Sequence, residues 1–520
     1  MTTPEQLPVR CQSRFRRGLR WCLSWRGLRS VLIALAWLVT LLALFYVEEN
    51  WRGRRAWNKY RRELEARGEQ WDLKAFIPRP VLAEENFAAT PFVTALFHNR
   101  DPFVDNFGPA FMAVAEPEDG ELKRHRHALD LVAWQQAFAG VRAGDTNKLR
   151  SKLKQQDRDL ETRAKAAPAV LAEFKTDEAI FAELMAACRR PGVRYPVNYN
   201  VMEPFAILLP YISGIKNTCL RLQVKACAEL ALGQNEPAFQ DVQLALNLAD
   251  SLKGEITLVT YLLRVACLEI AVQPVWEGLA EHRWSEAQLI VMQTRFSGYN
   301  LIADCQPALA SDRACGLAMV DYLQRSGKLG EFTRNSNDTL PWEILTRLFV
   351  LMPAGWYDLE RLNYWQLFDE QFEGASEPAA KRVFPRKVEA NIQRLDERLS
   401  ARGVRCLLQH RLTANLFLPA LGRAFIRASV AQTLANEVAL ACALERYRLA
   451  NGQFPDRLEA LVPQFMSELP KDVIAKGDYH YRRTDNGRFM LYSIGWDEQD
   501  DGGKPGKVQF DSKSGDWAWD

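Results

Sequence analysis

Between Val31 and Val47 the chain runs for 17 residues without a charge, VLIALAWLVTLLALFYV, flanked on both sides by arginines. As a helix this run is about 26 Å long, against the ~30 Å hydrocarbon core of a bilayer. Eleven of its residues are Leu, Ile, Val or Phe, and each gains roughly 0.3–0.6 kcal/mol on insertion near the centre. Trp25, Trp37, Tyr46 and Trp51 stand near its ends, partly matching an aromatic belt. The run predicts a single transmembrane helix; the competing readings are a buried helix of a soluble protein and a cleaved signal peptide. The apolar core is longer than a usual signal h-region, and Leu44–Glu49 lacks a small-x-small cleavage site. An uncleaved signal anchor is therefore expected.

Orientation rests on charge. The preceding tail carries seven arginines (Arg10, Arg14, Arg16, Arg17, Arg20, Arg26, Arg29), and seven basic residues also lie between Arg52 and Arg67. Glu48, Glu49, Glu63 and Glu65 dilute the second group. A short tail so rich in arginine is a poor candidate for export, whereas a large domain crosses largely regardless of its charge. The N-terminus is expected in the cytoplasm and the rest of the chain outside it.

A chain of 520 residues is too long for one hydrophobic core. Its 48% hydrophobic and 25% charged residues are those of a folded globular protein. Much of the basic excess lies in the first 67 residues, so nothing suggests a nucleic-acid partner. Ten cysteines show no CxxC and no regular framework. Cys227, Cys267 and Cys442 lie in apolar helical stretches; only Cys305 and Cys315 look pairable.

The sequence divides into an Arg-rich tail (1–30), the membrane helix (31–47), a charged stalk and Pro-containing linker (48–93), a mainly helical region (94–430) and a C-terminal module (431–520). Within the helical region, 218–297 reads as an antiparallel array. A turn at Gly233–Pro237 is followed by Ala238, Val242, Ala245 and Ala249 on one side of a helix. Ile256, Val259, Leu263, Ala266 and Ile270 then form a stripe at helical period. Ser285 and Gln288 form a capping box, with Trp284 and Leu289 at the staple positions. The pattern Gly233-x4-Ala238-x6-Ala245 resembles the tetratricopeptide turn over one repeat. A solenoid-like array and a plain bundle both fit it.

Local catalytic signals are missing. There is no P-loop, Rossmann fingerprint, H-E-x-x-H or nucleophile elbow. His125 and His127 stand two apart in a basic run, a spacing that points to different faces of a helix.

The last 70 residues change character. Ala439–Ala450 reads as a helix, Gly452 can stop it in a left-handed conformation, and Pro455 bars its continuation. Asp456 with Glu459 can cap a short helix. Tyr479–Arg482 and Phe489–Ile494 read as strands, and Gly495-Trp496-Asp497 follows. This succession, from 432 to about 505, resembles the soluble domain of the major pseudopilin of type II secretion and related type IV pilin-like proteins. It departs from them in two ways. The bilayer helix lies almost 400 residues upstream without the leader pattern, and Val473-Ile474 follows Asp472 where an aromatic-glycine pair is usual.

The patterning gives a mainly α chain (one transmembrane helix plus a helical array or bundle), to which the resemblance adds a small C-terminal α+β pseudopilin-like domain. Together they imply a single-pass protein of a bacterial inner membrane, with the bulk in the periplasm. In the pseudopilins the loop after the last of these strands binds calcium, and Asp497, Asp500 and Asp501 are the residues that carry over; a solvated acidic turn is the alternative. The expected partners are the lipid bilayer and envelope proteins, and the expected role is structural or interactive, beside a secretion or pilus-like system. The rival class is an envelope hydrolase with a site assembled from the helical region.

Overall fold

Leucine and alanine dominate the apolar run and no proline interrupts it, so one uninterrupted helix continues through the stalk. In the computed structural model helix α1 (Trp25–Ala66) is 42 residues long. The structure describes residues 25–98, 100, 102–103, 107–114, 124–144, 160–201, 203–204, 207–327, 352–400, 404–484 and 487–519. Arg10 to Arg20, Cys11 and Cys22 lie outside these. The chain forms two compact units: residues 1–69, 323–364 and 402–412 make one, and 70–322, 365–401 and 413–520 the other.

In the first unit, none of the most apolar window of α1 is buried. Its one hydroxyl in mid-run, Thr40 Oγ1, is satisfied by donating to Ala36 O at 2.8 Å. Beyond Val47 the stalk differs from a free charged helix. Tyr46, Asn50, Gly53, Trp57 and Leu64 recur at a spacing of three, four or seven and are turned inward, with Gly53, Trp57 and Leu64 fully buried. The first turn of helix α12 (Ala354–Phe372) packs here. A Cβ on Gly53 would stand 1.9 Å from Gly355 O, and one on Gly355 would stand 2.1 Å from Glu49 O. Only glycine on both sides permits that approach. Gly355 N donates to Asn50 Oδ1 at 2.8 Å, and Trp356 Nε1 to Glu49 Oε2 at 2.8 Å. Phe45 meets the Trp356 ring edge-on, with centroids 6.2 Å apart. Arg52 completes the clamp through Glu49 at 2.5 Å. Burial opposes the charge on Glu49, but the hydrogen bonds from Arg52 and Trp356 prevail and hold its carboxyl below the ordinary value.

In the second unit, α7 (Tyr211–Ala231), α8 (Asn235–Ser251) and α9 (Leu258–Ala280) pack pairwise on one another, whereas α10 (Glu286–Ser297) packs chiefly on the later helix α16 (Ala424–Asn451) and not into the expected array. Gly233 takes φ +72° in the first turn, while Ala238 and Ala245 are buried where α7 and α8 pack together. The Ser285–Gln288 capping box forms in both directions. Trp284 is buried over Gly278, where a Cβ would stand 2.2 Å from the indole, and its Nε1 donates to Val275 O. The expected stripe on α9 holds only in part: Ile256 and Leu263 are buried, and Ala266 and Ile270 half-buried. Val259 is 54% exposed, whereas Tyr261, Val265, Leu268, Val272 and Val275 are buried. Helix α9 packs against α7, α8 and α16 at once, so it is covered on nearly every side and one stripe cannot describe it. It is also long and apolar enough to span a membrane, yet 67% of that window is buried.

Several charged residues inside this unit are paired, as burial favours. Arg163 is 1% exposed and bonds Glu277, Glu281 Oε1 (2.7 Å) and Leu129 O (3.2 Å). Lys225 bridges Glu229 and Asp241 at 2.6 and 2.7 Å. Burial, then Asp241, pushes the Glu229 carboxyl up to about 8. Cys305 and Cys315 are both free. They lie ten residues apart on one helix, α11 (Leu301–Ser326), about 15 Å, beyond the ~7 Å Cα separation that a disulfide spans.

The C-terminal residues belong to this second unit. The helix expected from Ala439 starts at Ala424: α16 (Ala424–Asn451) is buried along most of its length and ends at Gly452 with φ +80°. It packs against α9 and α10. Two amides on it bind neighbouring backbone. Gln432 Oε1 accepts from Leu301 N (2.7 Å) and its Nε2 donates to Tyr299 O (3.2 Å). One turn on, Asn436 Nδ2 donates to Lys471 O at 3.4 Å and to the Tyr479 hydroxyl at 3.1 Å. A 3₁₀ turn at Leu458–Leu461 follows, without a side-chain cap; Asp456, expected as a cap, pairs with Arg483 at 3.1 Å. Strands β3 (His480–Arg483), β4 (Phe489–Ser493) and β5 (Trp517–Trp519) form an antiparallel sheet in that order. Tyr481 opposes Leu491, which opposes Trp519.

Candidate functional site

The loop joining β4 to β5 carries the acidic residues singled out in the sequence. Gly495 turns out of β4 at φ +70°, where a Cβ would stand 2.4 Å from Gly515 O. The two limbs of the loop are thus pressed together at their base. Asp497 spans them: its Oδ1 accepts from Gln499 N and its Oδ2 from Gly515 N, both at 3.1 Å. Asp500 Oδ1 accepts from Gly502 N at 2.9 Å and Tyr492 Oη at 3.1 Å. His480 Nδ1 lies 3.6 Å from the other Asp500 oxygen. The Gly502 amide, with burial opposing, holds the exposed Asp500 carboxyl below its ordinary value.

The centre of the loop is a residue that the sequence reading passed over. Asp516 is fully buried, and its Oδ2 accepts from Asp501 N (3.0 Å) and Gly503 N (2.6 Å). Its own amide donates to Lys504 O at 2.9 Å. Asp516 Oδ1 is buried without a hydrogen-bond partner. Burial raises its pKa, the two amides counter that, and the charges of Asp500 and Asp501 raise it further. A second carboxylate, Asp511, accepts from Lys507 N and Lys513 N, and its backbone carbonyl takes Trp517 Nε1 at 2.9 Å. The only available signal was position: Asp516 sits between Gly515, at φ +84°, and the strand residue Trp517.

Of the three carried-over residues, Asp500 and Asp501 lie close enough to act on Asp516, while Asp497 is committed to the opposite limb. Among the described residues, no group of three or more His, Cys, Asp or Glu side chains is placed to hold a metal ion. Within the loop, the feature that fits a cation is the orphaned Asp516 Oδ1, a buried acceptor with nothing to accept from. His125 and His127 are not on a helix; His127 O instead accepts from Gln273 Nε2 at 2.8 Å.

Elsewhere in the second unit, a small cavity of about 10 Å³ lies between α9 and α16, lined by Leu268, Glu269, Val272, Phe296 and Leu434. Glu269 Oε1 has no hydrogen-bond partner. Burial raises its pKa, against the charges of Arg427 and Arg126. The lining is apolar and offers one carboxyl, not the converging pair that acid–base hydrolysis needs.

No family model matches the chain, and neither the curated proteins nor the solved structures include a significant match.

Proposed function

We propose that this chain is a single-pass protein of the bacterial inner membrane, anchored by Val31–Val47, with its N-terminus in the cytoplasm and its bulk in the periplasm. Its role is structural or interactive, beside a secretion or pilus-like system. The observation that carries the anchoring is the exposure of the whole apolar window of α1. Water would penalise that surface by roughly 25 cal/mol per Å², whereas lipid does not. The pseudopilin-like succession in 432–505 supports the link to a secretion system. Its helix, α16, is buried against α9 and α10, which favours a fixed role over packing into a filament. The C-terminal loop is proposed to take calcium, with Asp500, Asp501 and Asp516 as carboxylate ligands and Asp497 bracing the loop base; calcium takes six to eight oxygens, so carbonyls and water would complete the shell.

Topology is tested with a reporter active only outside the cytoplasm. Fused after Asp520 it should work, and fused before Arg10 it should fail. Activity from the N-terminal fusion alone reverses the reading, and a chain released from membranes by alkaline carbonate removes it.

A further inference from the structure

The helix that leaves the apolar run has two different sides. One carries the inward-turned stripe through Asn50, Gly53 and Trp57. Trp51 and Arg55, two residues either side of Gly53, point about 160° away from it at 100° per residue. Trp51 is 60% exposed, and Arg54 and Arg55 are exposed beside it. The Arg55 guanidinium carbon lies 5.2 Å from the Trp51 ring centroid, so the arginine folds back one turn toward the apolar run, the direction helical side chains favour. Arg52 is held by Glu49. Arg54 and Arg55 have no carboxylate partner among the described residues.

Trp51 stands four residues beyond Val47, about 6 Å along the helix axis. The headgroup layer on each side of a bilayer is roughly 5–8 Å deep. An amphipathic indole is suited to that depth, and a guanidinium stacked on it keeps its N–H fork free for phosphate oxygens. We propose that Trp51 and Arg55, with Arg54, form a binding site for the phosphate of an anionic phospholipid headgroup at the surface where α1 emerges. The bound lipid fixes the depth of the helix, while the opposite face of the same turns is clamped by Gly355 and Trp356. This proposal rests on the reading that Val31–Val47 crosses the bilayer.

The test uses the full chain in detergent with an equimolar mixture of phosphatidylglycerol and phosphatidylcholine, counting retained lipids by native mass spectrometry. The wild type should retain phosphatidylglycerol preferentially. Arg54→Gln with Arg55→Gln should lower that preference by roughly fivefold per arginine, and Trp51→Leu should lower it too. Lys59→Gln, about 12 Å beyond Val47 even with its side chain leaning back, should leave it unchanged. Equal retention of the two lipids by the wild type, or an unaltered preference in the double arginine variant, overturns the proposal. Resistance of the wild type to carbonate extraction from membranes, before detergent is added, separates this outcome from failure of the membrane span itself.

Discussion

Gly53 and Gly355 touch backbone to backbone: a Cβ on Gly53 would stand 1.9 Å from Gly355 O. Three side-chain contacts hold the approach, from Asn50 and Glu49 to Gly355 and Trp356 and from Phe45 to the Trp356 ring. The clamp lies directly after the apolar run.

Gly53→Ala should therefore separate these backbones. Its helix propensity alone would favour alanine by about 1 kcal/mol, so a net loss of about 1–3 kcal/mol measures the overpacking. Thermal melting of the detergent-solubilised chain checks this. A melting temperature equal to or above that of the wild type would mean that the two glycines are not in contact.

Acid should loosen the same unit. His410 is buried, takes φ +52°, packs edge-on against Trp356 and leaves Nδ1 without a hydrogen-bond partner. Burial, and then the charge of Arg52, pushes its pKa down to about 4 from 6.5. The folded protein thus resists a proton that the unfolded chain accepts, so stability is fully present above pH 6.5 and falls as pH drops toward 4. The loss amounts to about 3 kcal/mol at most. His410→Asn tolerates the left-handed backbone and should flatten the melting-temperature profile between pH 7 and 4.5. An unchanged profile would assign the acid sensitivity elsewhere.

Arg163→Met should be among the most damaging changes in the second unit. It strands Glu277, which is 1% exposed and also accepts from Leu129 N and Gln273 Nε2. Breaking a buried pair by removing one partner costs about 3–5 kcal/mol. Adding Glu277→Gln keeps those two acceptor contacts and removes the stranded charge, so the double variant should be more stable than Arg163→Met alone. Denaturant unfolding of the three proteins decides it; a double variant weaker than the single one would contradict the pairing.

Calcium at millimolar concentration should raise the melting temperature of the full chain, and Asp516→Asn should abolish the rise. The full chain is needed because α16 is buried against α9 and α10, and excising residues 430–520 would expose it. A wild-type melting temperature indifferent to calcium would leave the loop a solvated turn held by Asp516.

What the sequence determined by itself was what neighbouring residues impose on one another. The uninterrupted apolar run, the turn at Gly233, the left-handed stop at Gly452, the Ser285–Gln288 capping box and the strand runs around Tyr481 and Leu491 all follow from local sterics and hydrogen bonding, and each was legible. Tertiary structure decided whatever depended on distant partners. Asn50 and Gly355 are 305 residues apart, so a helix read as a charged stalk could not reveal its packed side. Helix α16 begins at Ala424 rather than Ala439 because burial on almost all sides erases the amphipathic period that marks a helix. Val259 is exposed because α9 has neighbours on several sides, which no single stripe encodes. Asp516 organises the acidic loop from its far limb, where only the pairing of β5 with β4 brings it within reach of the amides of Asp501 and Gly503.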